Sequence, residues 1–306
     1  MATPTSSRLP LLFGANVDPT ADDPRWPLEL TRAVEEAGLD LIGIQDHPYN
    51  ASFLDTWTLI ATLAQATQRV RFFPNVANLP LRPPLMLAKA VATLDVLSNG
   101  RIELGLGAGA FADGIVAMGG PRRSASEAVA ALEEAVQLIR RFWSGERSIH
   151  FEGRYYSAQG THPGPRPIHP IGIWLGAYRP RMLRLTGRLA DGWIPSSTYA
   201  APEQLLAMQR QIDTAAQQAG RPPQAIRRIY NIIGQITTGG PGWERGTFRA
   251  SVQDWTEELT RLAREIGLDT FIYWPLEDRL RQIQRFASEV VPGVRAALQA
   301  TNQSDG

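Results

Sequence analysis

Short apolar runs that end in polar or glycine residues, each followed by a stretch of helical spacing, recur along nearly the whole chain. This alternation constrains the fold more than any other feature of the sequence. The clearest instance is Leu41-Ile42-Gly43-Ile44, which reads as a fully buried strand and finishes abruptly in Gln45, Asp46 and His47 before Pro48 breaks it. Strand-like runs occupy residues 9–15, 40–44, 70–76, 101–107, 171–177, 191–195, 228–236 and 268–274. Helical spacing follows at 24–37, 53–66, 84–97, 124–143, 181–189, 202–219, 251–266 and 276–300. Ser124, with Glu127 three residues on, forms a capping-box start. Regular βα units imply right-handed crossovers and a parallel sheet. Eight of them in one chain of 306 residues predict a (β/α)8 TIM barrel, in which the polar strand ends open into a common mouth.

The rhythm breaks once. Residues 144–170 suggest a small hairpin around Glu152-Gly153-Arg154, followed by a stiff connection through Pro163, Pro165, Pro167 and Pro170. Because the alternation resumes at once, this reads as an insertion in a single domain spanning 1–306. A glycine-rich loop is expected at 238–246. The net charge of +1 gives no reason to expect nucleic acid or an anionic membrane as partner. Cysteine is absent, so disulfides, thiolate nucleophiles and cysteine metal sites are excluded. The start of the chain has no basic segment leading into an apolar core, and no uninterrupted apolar 18-mer occurs, so a cytoplasmic protein is the default expectation.

Among the residues that can carry chemistry, His47 stands out. Its ordinary pKa suits a group that gives a proton to a reacting atom or takes one from it, and it lies at a strand end. The plain alternative is a structural histidine hydrogen-bonded at the end of its strand. Asp46 is either a functional carboxylate or a cap for the segment that follows. His150, His162 and His169 lie in the insertion and read as loop residues. No histidines stand at i, i+4 and no carboxylates cluster at strand ends, so no metal site is expected. Ser196-Ser197 lacks the G-x-S-x-G elbow of serine hydrolases. From Gly107 the chain reads G-x-G-x-x-A, the dinucleotide fingerprint of a doubly wound sheet. Three βα units precede it, however, and the loop-like stretch to Arg122 offers no helix start for a pyrophosphate. Phe13, Tyr49, Trp193, Tyr273 and Trp274, near strand ends, either line an apolar pocket or pack in the core.

Several stretches together resemble the bacterial-luciferase-like superfamily. They are Gln45-Asp46-His47, Asn75-Val76, Leu94-Asp95-Val96-Leu97-Ser98-Asn99-Gly100-Arg101 and Glu103-Leu104-Gly105-Leu106-Gly107-Ala108-Gly109. Further on come Phe151-Glu152-Gly153-Arg154-Tyr155-Tyr156, Ile173-Trp174-Leu175-Gly176-Ala177 and Gly187-Arg188-Leu189-Ala190-Asp191-Gly192-Trp193. The likeness runs in order from about residue 10 to 295. It implies an oxidoreductase that uses coenzyme F420, a deazaflavin, for hydride transfer to a small, fairly apolar organic substrate. The alternatives are a monooxygenase that uses flavin mononucleotide (FMN) and a non-catalytic flavin-binding protein.

The resemblance places the flat ring in the barrel mouth, backed by a bulge at Asn75 and Val76 that often holds a non-proline cis peptide. It assigns ribityl and phosphate contacts to Gly107, Ala108, Gly109, Gly176, Ala177, Tyr178 and Arg179, with a helix N-terminus nearby supplying N–H donors. Asp46 matches the position that meets the ring's polar edge, and His47 the proton-transfer position. A homodimer is common among such relatives. The sugar-phosphate dehydrogenases of the superfamily carry a Trp and a Glu where this chain has Ala51 and Ala110, and use lysines where it has Ser196-Ser197-Thr198-Tyr199. That departure argues against sugar phosphate as the substrate.

Overall fold

The computed structural model describes residues 9–304, the stretch 301–304 by its backbone alone. In chain order the strands are β1 (Leu12–Asn16), β2 (Leu41–Ile44), β3 (Arg71–Pro74), β4 (Ala77–Asn78), β5 (Leu104–Gly107), β6 (Ile149–Glu152), β7 (Ser157–Thr161), β8 (Ile173–Leu175), β9 (Gly192–Trp193), β10 (Arg227–Ile236), β11 (Gly242–Glu244), β12 (Thr247–Ala250) and β13 (Thr270–Pro275). The helices are α1 (Trp26–Glu36), α2 (Thr56–Gln65), α3 (Pro84–Leu97), α4 (Ala112–Ala117), α5 (Ala125–Trp143), α6 (Pro180–Leu189), α7 (Pro202–Gln218), α8 (Val252–Arg261), α9 (Arg279–Arg285) and α10 (Val291–Ser304). Contacts gather them into two units interleaved along the chain. Among the described residues one holds 9–16, 33–41 and 177–304, the other 17–32 and 42–176.

In the first unit β1, β13, β10 and β9 lie side by side, all parallel, with Phe13 in register with Phe271 and Ile229 with Thr270. β13 is buried almost throughout, as expected of a parallel strand covered on both faces. Its core is aromatic. Phe13 stacks on Phe271 at 5.9 Å, Tyr273 on Phe286 at 4.8 Å, and Trp255 meets Tyr273 edge-on at 5.1 Å. Phe13, Trp193 and Tyr273 are thus core side chains, 0%, 0% and 1% exposed.

In the second unit β8, β5 and β4 are parallel, and β3 joins them where Phe72 N–H donates to the Arg101 carbonyl at 2.8 Å. α5 starts at the capping box of Ser124 and Glu127, and buries Leu132, Val136 and Ile139. Trp143 at its end donates to the Ala88 carbonyl of α3. The Leu94–Arg101 motif explains itself physically. Asn99 and Gly100 take left-handed backbone (φ 59° and 81°) to turn the chain out of α3. The buried Arg101 guanidinium then donates to carbonyls of Ala64, Thr67, Val70 and Ser98, tying this turn to the end of α2. Asp95, its side chain wholly buried, receives the N–H groups of Ile168 and His169 and the His169 ring. His169 is therefore no mere loop residue: it clasps the insertion to α3.

The hairpin expected in the insertion is β6 paired antiparallel with β7, with Tyr155 and Tyr156 in its turn. Glu134 of α5 accepts the N–H groups of Arg154, Tyr155 and Tyr156, and a Cβ at Gly153 would stand 2.4 Å from that carboxylate. Three local expectations give way. The stretch after the glycines of β5 contains a short helix, α4, and the loop at 238–246 contributes β11, antiparallel to β12. The long last helix is interrupted by a π-helical turn at Phe286–Val290. Among the described residues no helix is long and apolar enough to cross a membrane.

Candidate active site

β2 delivers its polar end into a close set of hydrogen bonds within the second unit. The Gln45 carbonyl accepts from Thr56 Oγ1, and Asp46 follows with only 2% of its surface exposed. Asp46 Oδ2 accepts the Asn78 N–H at 2.8 Å, and Oδ1 accepts Arg82 Nη2 at 2.8 Å. The same Nη2 reaches Asp55 Oδ2 at 2.6 Å, and Asp55 caps α2 through Thr58 N–H. Burial alone works against a charged Arg82, but its bonds to Asp46 and Asp55 outweigh it and hold the guanidinium pKa above the ordinary arginine value. Asp46 is thus the buried anchor of this corner, its two oxygens engaged by the segment after β3.

His47 turns the other way. Its Nδ1 lies 2.7 Å from the Tyr49 hydroxyl oxygen, and the ring is surrounded by Tyr49, Phe53 and Phe111 at centroid distances of 5.6, 6.3 and 5.7 Å. Burial among these rings lowers its pKa below the ordinary histidine value, and the negative charge of Asp46 opposes the shift in part. Phe111 is 54% exposed, so the histidine sits under an aromatic rim.

Asn75 and Val76 form the bulge between β3 and β4. The peptide between them is cis, and Asn75 N–H donates to the Ile44 carbonyl at 2.6 Å. Gly43, Gly105 and Gly107 stand against the bulge where a side chain would crowd it. A Cβ at Gly105 would lie 2.1 Å from the Pro74 carbonyl oxygen, one at Gly107 2.8 Å from Val76 Cγ2, and one at Gly43 3.1 Å from Asn75 Nδ2. At Gly176 the same side chain, Val76, would be in ordinary contact at 3.4 Å. Beyond Gly107, Ala108 is half-buried and Gly109 takes φ +89° against Pro80, which sends the chain toward Phe111.

Of the residues singled out from sequence, Asp46, His47, Asn75, Val76, Gly107, Ala108, Gly109 and Gly176 belong to this unit. Ala177, Tyr178 and Arg179 belong to the other. There the Ala177 carbonyl accepts from Trp193 Nε1 at 2.9 Å. The Tyr178 hydroxyl accepts the Ser196 N–H at 3.1 Å, and burial raises its pKa. Arg179 is exposed and stands at the N-cap of α6, with Pro180 as the first helical residue.

Sequence reading missed Asn78 and Arg82 and took Tyr49 only as a strand-end aromatic. Arg82 lies 36 residues from the carboxylate it pairs with, in a proline-rich stretch without a pattern of its own. The buried Asn78 Oδ1 has no hydrogen-bond partner among the described residues, although Asn78 is paired with Gly107 through its backbone. A buried acceptor left unpaired is costly, and a flat heterocycle carrying an N–H beside the bulge would satisfy it. The glycine-lined bulge with this waiting acceptor therefore fits a flavin- or deazaflavin-like ring. No group of three metal-ligating side chains is found among the described residues.

Residues 9–237 match the family described as luciferase-like monooxygenase. An F420-dependent glucose-6-phosphate dehydrogenase of Intrasporangium calvum is 32% identical over 89% of this chain and 95% of that one. The enzyme of the same name from Gordonia bronchialis is also 32% identical, over 69% of this chain and 64% of its own length, so the match falls just short of two thirds of it. Among solved structures, an F420-dependent secondary alcohol dehydrogenase in complex with an F420-acetone adduct superposes with a TM-score of 0.84 at 19% identity, covering 94% of this chain and all 100% of that one. A riboflavin lyase with modified FMN gives 0.81 at 15% identity, over 94% and 92% of the two chains. The chain belongs to the luciferase-like monooxygenase family and has its (β/α)8 barrel fold.

Proposed function

We propose that this chain is an oxidoreductase that uses coenzyme F420 to move a hydride to or from a small, uncharged, fairly apolar organic substrate, with His47 handling the proton. The observation that carries the proposal is the His47 ring: half-buried, hydrogen-bonded at Nδ1 and walled by Tyr49, Phe53 and Phe111 at the end of a barrel strand. The names of relatives and structural neighbours support a deazaflavin as the cofactor. When bound, F420 supplies the atom that donates or accepts the hydride. Everything else falls to the chain. The bulge at Asn75 and Val76, with Gly107, Ala108, Gly109 and Gly176 around it, backs the ring, and Asn78 Oδ1 accepts an N–H from it. Asp46, braced by Arg82, holds the Asn78 backbone. His47 gives its proton to a substrate oxygen when a carbonyl is reduced and takes one when an alcohol is oxidised. The contacts assigned to Ala177, Tyr178 and Arg179 belong to the same proposal and rest on the family resemblance.

Relatives named for glucose 6-phosphate do not carry that substrate over. Ala51 and Ala110 replace the tryptophan and glutamate of the sugar-phosphate enzymes, and the aromatic rim around His47 favours an apolar group over a phosphate. The reading includes a homodimer and a cytoplasmic location, the first tested by light scattering. The decisive experiment is fluorescence titration with F420 and with FMN, followed by turnover on a panel of secondary alcohols with glucose 6-phosphate included. Saturable F420 binding and alcohol-dependent reduction are expected. FMN binding without F420 binding would move the assignment to the monooxygenase chemistry of the family.

A further inference from the structure

We propose that Tyr49 is the positioning residue for His47: its phenolic oxygen accepts the Nδ1 proton, which makes Nε2 the atom that exchanges a proton with substrate. This deepens the proposed function and rests on its assignment of His47, although the tautomer it predicts belongs to the chain alone. The geometry comes first. The hydroxyl oxygen lies 2.7 Å from Nδ1, within one short turn, with Pro48 between the two residues. Tyr49 is itself confined. Gly114 of α4 lies so close under its ring that a Cβ there would stand 2.7 Å from Tyr49 Cγ, and the Phe111 ring packs on it at 5.8 Å. Gly114 and Phe111 thus back the tyrosine ring on two sides.

A neutral imidazole carries a proton on one nitrogen and a lone pair on the other, and the partner of one nitrogen decides the role of its opposite. If the phenol donated to Nδ1, the neutral ring would hold its proton at Nε2 and have no lone pair for a substrate hydroxyl. If the phenol accepts, Nδ1 keeps its proton in both the neutral and the protonated ring. Only the Nε2 proton then comes and goes, so one arrangement serves both directions of the reaction without rotation of the ring. The charges on the surrounding elements are already paired, Asp46 and Asp55 with Arg82, and Asp113 of α4 with Arg122. The hydroxyl is thus the group that selects the tautomer.

The test begins without cofactor. Imidazole ¹⁵N shifts of the labelled protein distinguish the two tautomers, and His47 is assigned by the resonances lost in His47→Gln. The wild type is expected to hold neutral His47 with its proton on Nδ1, and Tyr49→Phe to move the population toward Nε2–H and lower the His47 pKa further. In turnover, Tyr49→Phe is expected to reduce kcat about 10-fold with KM within about twofold, and to shift the acid limb of the pH profile downward. A neutral wild-type ring protonated at Nε2, or a tautomer and pH profile unmoved in Tyr49→Phe, would overturn the proposal. If the tautomer behaves as stated but F420 does not bind, the cofactor assignment fails and the role of Tyr49 in setting the ring stands.

Discussion

The clasp between His169 and α3 makes a quantitative prediction about stability. His169 Nδ1 lies 2.6 Å from Asp95 Oδ1 and its Nε2 3.6 Å from Glu103 Oε1, while Glu103 also holds Arg71 at 2.8 Å and the Gly172 N–H at 2.7 Å. The hydrogen bond to Asp95, followed by the neighbouring Glu103 carboxylate, raises the His169 pKa to about 9. A folded-state pKa above the unfolded one stabilises the fold fully below the unfolded value near 6.5, and the contribution is lost as pH rises through about 9. The rise from 6.5 to about 9 sets a ceiling of roughly 3 kcal/mol. Because the side chain is 22% exposed, solvent screening brings the expected figure to about 2 kcal/mol. Urea unfolding of wild type and His169→Gln across the range from pH 6 to pH 10 tests this. The gap between the two is expected to be about 2 kcal/mol at pH 6 and to shrink by most of that amount by pH 10, where His169 is neutral. A gap that stays constant with pH would refute the reasoning, for then the histidine contributes shape and not charge.

Two further perturbations probe the site. Arg82→Gln leaves the buried Asp46 carboxylate with the Asn78 N–H but no cation, and is expected to cost about 3 kcal/mol in denaturant unfolding; Arg82→Lys recovers only part of this, because an ammonium cannot reproduce the fork that reaches Asp46 and Asp55 together. Gly107→Ala drives a methyl to 2.8 Å from Val76 Cγ2 and is expected to cost about 1–3 kcal/mol and to weaken cofactor binding measured by fluorescence titration.

Much of the architecture was legible because its causes are local. The capping box at Ser124 sits in the sequence as a Ser and a Glu three apart, and α5 begins there. The βα alternation is a matter of period and punctuation, and it leads to the fold class that the comparisons support. The family motifs were readable for a related reason: Asn99 and Gly100 are residue types that left-handed backbone selects. The failures are of another kind. α4 was hidden because Gly114, Gly119 and Gly120 look like loop, yet Gly114 is glycine so that the helix can lie against Tyr49. Gly240 and Gly242 likewise masked the hairpin of β11 and β12. His169 finds Asp95 across 74 residues and Arg82 finds Asp46 across 36, and no local pattern encodes such pairings. A residue's type can announce that it is able to do chemistry, but its partner is fixed only by the fold.

In the proposed deazaflavin-dependent reaction the proton passes through His47. The most direct test is turnover of F420 with a secondary alcohol by wild type and His47→Gln, compared at equal cofactor occupancy. The variant is expected to bind F420 as the wild type does while kcat falls by about 10²–10⁴-fold. Turnover in His47→Gln within a few-fold of wild type would contradict it.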